Sequence, residues 1–105
     1  MPADGLKLVY EKRVGDGSSF TVNAVVSSST DQNLVVALSL PNGFRMVGEE
    51  NAVLKLGAGE VGIVRFQVEA VENTAQGPHI IHADLIDEDF EFVSQAQADV
   101  DVYWD

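Results

Sequence analysis

The 105-residue sequence contains no cysteine, which removes disulfides, thiolate metal sites and cysteine nucleophiles together. It has no run near the ~18 consecutive apolar residues that a membrane helix requires, so no membrane insertion is expected. The first residues, Met-Pro-Ala-Asp-Gly, lack the basic-then-apolar pattern of a secretory leader. Two readings of location stay open: a protein made and used inside a cell, or a module of a longer exported chain. No lysine or arginine follows Arg65, whereas ten of the 17 acids do. Nearly all of the net charge of −11 therefore sits in the last 40 residues, and nucleic acid is not expected as a partner.

Apolar residues make up 46% of the chain, and they recur with period two instead of 3.6. Leu6, Leu8 and Tyr10 alternate with Lys7, Val9 and Glu11, and Phe20, Val22, Ala24 and Val26 with Thr21, Asn23 and Val25. Between them Val14, Gly15, Asp16, Gly17 and two serines read as a turn. Residues 27–33 form a polar loop. Leu34, Val36, Leu38 and Leu40 then share a face, ended by Pro41-Asn42-Gly43. Short segments at 44–47 and 52–56 follow, then a strand in which Gly62, Val64, Phe66 and Val68 are aligned. In 79–86, His79, Ile81, Ala83 and Leu85 lie on one side.

From Phe90 to Trp104 the even positions read Phe, Phe, Ser, Ala, Ala, Val, Val, Trp against mostly acidic and amide odd positions. That parity places Phe90, Phe92 and Trp104 in the core and leaves Tyr103 pointing outward. The count is seven to eight strands with turn signals at roughly 8–12-residue intervals, as in an antiparallel β-sandwich, all-β and helix-free. At this length one domain over residues 1–105 is expected.

Each candidate chemistry is weighed against an ordinary structural role. His79 and His82, three apart on a strand, point to opposite faces and cannot chelate one metal. Ser27, Ser28 and Ser29 have no Gly-x-Ser-x-Gly elbow or positioned base, and no phosphate-cradling glycine motif exists, so an enzyme is not expected. Asp84, Asp87, Glu88, Asp89 and Glu91 cluster around one turn, and Asp87, Glu88, Asp89 and Glu91 are the candidate calcium ligands. The competing reading is a solvated acidic turn. Asp99, Asp101 and Tyr103 are the candidate interaction residues, on the outer face of a long last strand that needs protection from, or offers, edge pairing. The acidity itself reads as a solvated face, as high-salt adaptation, or as a docking surface for a basic partner.

One stretch carries a more specific pattern: Leu38-Ser39-Leu40-Pro41-Asn42-Gly43-Phe44, then Leu54-Lys55-Leu56-Gly57-Ala58-Gly59-Glu60, Phe66-Gln67-Val68, and Gly77-Pro78-His79 entering the next strand. Over residues 20–86 this resembles bacterial and archaeal immunoglobulin-like modules of the NEW3 and CARDB type. Ala58 stands where the turn proline is usual, and His79 where an inward aromatic is usual. The resemblance implies an immunoglobulin-like antiparallel β-sandwich. It also implies the roles such modules take: spacers, adhesion modules or companions of carbohydrate-active enzymes. The expected function is a non-catalytic structural or protein-interaction module of a surface protein or multi-subunit assembly. If Met1 is the natural start, a virion decoration protein is an example. The alternative is a ligand-binding accessory module for carbohydrate or calcium.

Overall fold

The computed structural model describes residues 5–72 and 74–104; Met1 and the three residues after it, read above for a leader pattern, lie outside them. Nine strands appear, and among the described residues there is no helix. They are β1 (Gly5–Tyr10), β2 (Arg13–Gly15), β3 (Ser19–Ser27), β4 (Gln32–Ser39), β5 (Phe44–Met46), β6 (Asn51–Leu56), β7 (Val61–Ala70), β8 (Gly77–Ile86) and β9 (Phe92–Tyr103). One sheet has the order β1-β3-β7-β5 and the other β2-β9-β8-β4-β6. Placing β1, β3, β7 and β5 over β9, β8 and β4 reproduces the two facing sheets of the immunoglobulin fold, with β2 and β6 added at the edges of the second.

The alternating residues meet between the sheets. Val22, Ala24, Val26, Phe66 and Val68 from one side face Leu34, Val36, Ile81, Leu85 and Val100 from the other, all buried. Burying a valine, leucine, isoleucine or phenylalanine side chain stabilises by about 1.5–3 kcal/mol, and the methyl of Ala24 by less. The period-two pattern thus becomes two apolar inner faces and two outer ones.

Three expectations are corrected by the strand pairing. The described residues form nine strands, not seven to eight. One added strand is β2: Arg13, Val14 and Gly15 run parallel to Asp101, Val102 and Tyr103, and Val14 is buried instead of lying in a turn. For the same reason the sandwich is not wholly antiparallel, and the upper part of β9 is not a free edge. Asp101 N–H also donates to the Lys12 carbonyl at 2.7 Å, and Asp99 N–H to the Tyr10 hydroxyl at 3.1 Å.

The third correction concerns the aromatics. Phe90 is 89% exposed, Phe92 64% and Trp104 46%, so none of them is core. The β8–β9 ladder shifts register between Leu85 and Ile86: Leu85 lies opposite Ser94, but Ile86 opposite Phe92. Val93 is the extra residue, and it packs on the core. One inserted residue moves every side chain beyond it to the other face. Trp104 lies past the end of β9, and its indole Nε1–H donates to the Thr74 carbonyl at 2.7 Å.

The sandwich end near that indole is closed by polar contacts. Buried Thr74 donates its hydroxyl to the carbonyls of Gly43 and Val71. Phe44 stands edge-on to Phe20 and to His79, with ring centroids 5.9 and 5.1 Å apart. His79 therefore fills a core-edge position on the side of Ile81. The 27–33 loop shrinks to the few residues between β3 and β4. They fold around fully buried Ser28, whose hydroxyl donates to the Thr30 carbonyl at 2.6 Å and accepts from Gln32 Nε2 at 3.0 Å.

Candidate functional site

The β8–β9 hairpin gathers most of the residues singled out from sequence. Asp87 organises it: its carboxylate Oδ1 accepts the N–H groups of Asp89 at 2.9 Å and Glu91 at 3.0 Å. Its backbone carbonyl accepts from Phe90 N–H, and its N–H donates to the Glu91 carbonyl. An aspartate bonded to the backbone two residues on is ordinary turn chemistry. Glu88 reaches out of the hairpin and accepts Asn33 N–H at 2.7 Å, tying the turn to the start of β4. Asp89 and Glu91 are exposed. Among the described residues no group of three or more Asp, Glu or His is arranged to hold a metal ion.

The four candidate calcium ligands thus lie on one hairpin, but two of the carboxylates already serve backbone donors. Adding millimolar calcium is expected to leave the melting temperature unchanged. A rise that grows with the logarithm of calcium, and disappears in Asp89→Asn, would place a calcium site at this turn.

Sequence reasoning missed what Phe90 does. It is the one non-glycine with positive φ among the described residues, at 62°. That left-handed conformation, normally left to Gly or Asn, costs a bulky side chain about 1 kcal/mol or more. Phe90 gains no burial in return. Beside it the bulge completes an apolar row across the outer face of the second sheet. The register aligns Val53, Val35, Ile86 and Phe92 on neighbouring strands β6, β4, β8 and β9. At strand spacings of ~4.8 Å this row spans about 14 Å. Its ends, Val53 and Phe92, are 71% and 64% exposed. The signal available in the sequence was the odd-numbered run Val35, Val53 and the pair Phe90 and Phe92; the bulge that aligns them was not.

Asp99 and Asp101 expose their side chains at the other end of β9, while their backbone N–H groups are covered by the β1–β2 segment. Tyr103 points outward as expected, under the Arg13 guanidinium at 4.9 Å from its ring centroid. The structure therefore separates these three from the aromatic hairpin at the far end of the strand. His82 lies on the outer face between Ser39 and Gln97, its buried Nδ1 without a hydrogen-bond partner. No nucleophile–base pair is found at Ser28, whose hydroxyl is spent on its own loop.

No protein-family model matches the sequence, and no curated protein matches it. Solved structures do. A segment of native alpha-2-macroglobulin from Escherichia coli, spanning domain MG7 to the C-terminus, is 21% identical with a TM-score of 0.77; it matches 93% of this chain, which spans only 16% of that structure. The CARDB domain of a Pyrococcus furiosus protein, solved in complex with di-metal ions, is 19% identical with a TM-score of 0.68 over 99% of this chain and 96% of that one. A FixG-related protein from Vibrio parahaemolyticus is 16% identical with a TM-score of 0.67, covering 94% and 95%. At these identities the likeness is one of fold, and that fold is the immunoglobulin-like sandwich of bacterial and archaeal modules, as the sequence resemblance implies.

Proposed function

We propose that the chain is a non-catalytic protein-interaction module, serving as one domain of a larger surface protein or one subunit of a multi-subunit assembly, and that it docks through the β8–β9 hairpin and the apolar row beside it. The observation that carries this reading is Phe90, a bulky aromatic held at a φ of 62° and 89% exposed. A local rule broken without a packing gain points to a role outside the fold. The row from Val53 to Phe92, exposed at both ends and half-buried at Val35 and Ile86, supports the same surface, since contiguous apolar residues at a surface mark binding sites more often than scattered ones do. The likeness to domains that occur within long chains is in keeping with it.

Asparagine tolerates the left-handed region, so Phe90→Asn is expected to stabilise the chain by about 1 kcal/mol, raising the melting temperature by roughly 5 °C. Thermal and urea unfolding measure it. A loss of stability would mean that Phe90 supports the fold, and the interaction reading would fall with it.

A further inference from the structure

The outer face of the other sheet has the complementary chemistry. On β1, β3 and β7 the register aligns Lys7, Val25 and Ile63 in one row and Val9, Asn23 and Arg65 in the next. Val9 is 48% exposed and Ile63 62%, and together with Val25 they floor an open depression of about 450 Å³. Exposed Lys7 stands beside this floor and exposed Arg65 lines it, while Arg45 on the same sheet is held by Glu69 at 2.8 Å. Asn23 in the floor has a buried Oδ1 with no hydrogen-bond partner.

The hairpin on the opposite side is the converse: two protruding phenyl rings among Asp87, Glu88, Asp89 and Glu91. Resting on the reading of that hairpin as a docking element, we propose that its occupant is a second copy of this chain: Phe90 and Phe92 of one copy seat in the Val9, Val25 and Ile63 depression of the next.

Three physical points favour this pairing. A depression of that volume accommodates aromatic side chains. Apolar contact is joined by charge of opposite sign, with the hairpin carboxylates facing Lys7 and Arg65, and a guanidinium at the rim can lie over an inserted ring. The two surfaces lie on opposite sheets, so one contact satisfies both exposed faces at once. Such a contact is heterologous, and repetition gives a ring or an open filament instead of a two-fold dimer. A body 46 by 24 Å in its larger dimensions has room for the ~800 Å² per partner of a standard interface.

The net charge of −11 opposes association over long range. Raising salt from about 0.01 to about 0.1 M shortens the screening length from about 30 to about 10 Å, which relieves that repulsion more than it weakens contact pairs. Self-association is therefore expected to strengthen over this range.

The experiment uses the full chain with Phe90→Asn to remove the knob and Ile63→Glu to spoil the depression, both at exposed positions and both checked by melting. Sedimentation and light scattering of the wild type at submillimolar concentration should show mass rising past that of a dimer. Each variant alone should stay monomeric, and the two mixed should give a one-to-one heterodimer and nothing larger. A wild type that is monomeric throughout, or a single variant that still dimerises, overturns the assignment. The interaction reading is judged separately, by the stability change of Phe90→Asn measured at a dilution where the wild type is monomeric, so the two can fail independently.

Discussion

Leu85→Ala is expected to destabilise the chain by about 3–4 kcal/mol, within the range measured for buried leucine truncations. Leu85 is fully buried, and it is the last β8 residue before the register shift, paired with Val36 on β4 and Ser94 on β9. Its loss removes transfer energy and leaves a cavity bounded by strands that cannot move independently, because β8 is hydrogen-bonded on both sides. For a chain of this size the melting temperature should fall by more than 10 °C. Urea unfolding should show a lower midpoint at unchanged slope. A cost below about 1 kcal/mol would mean that the bulge lets β9 relax into the space, and that the register at this end is soft.

Gly43→Ala is the second large effect, at about 2–4 kcal/mol, and its cause is different. Gly43 has a φ of 96°, and a Cβ there would lie 2.5 Å from Thr74 Cγ2. The backbone cannot retreat easily, since the Gly43 carbonyl accepts from both Val71 N–H and the Thr74 hydroxyl, each at 2.8 Å. Left-handed strain and overpacking therefore add. Gly59→Ala is the control: φ is 79°, but nothing lies within 4 Å of the added carbon, so only the backbone cost of about 1 kcal/mol remains. Thr74→Ser removes the clashing methyl and keeps the hydroxyl, so it should recover part of the Gly43→Ala loss in a double-mutant cycle. Equal costs at Gly43 and Gly59 would contradict the close approach.

The same end of the molecule illustrates what can be read from a sequence. Pro41-Asn42-Gly43 announces a turn from composition alone, and Leu34, Val36 and Leu38 announce the buried face of β4. That Thr74 and Trp104 close this turn follows from contacts some 30 residues apart in each case, for which no local pattern exists. The β2 strand was hidden for a similar reason. Three residues containing a glycine look like a turn until a partner some 88 positions later is in place.

The candidate site was legible by composition and mistaken in orientation. The acids of the β8–β9 turn, and the outward placement of Tyr103, were evident from residue type and alternation. The outward placement of Phe90 and Phe92 was not. Strict alternation from Ala96 backwards puts Phe92 inside, and a single extra residue at Val93 reverses it. Phe90 lacks the glycine or asparagine that usually marks a left-handed turn position.

The sequence by itself determined an all-β chain, the inner faces of β3, β4, β7 and β8, its lack of disulfides and the gathering of negative charge after Arg65, because periodicity and composition are local properties summed along the chain. Only the tertiary structure decided which strands are neighbours, where the ladder slips by one residue, and which aromatic rings therefore stand in solvent. Side-chain direction in a strand has a period of two, so a single extra residue in a ladder turns an expected core residue into a surface one.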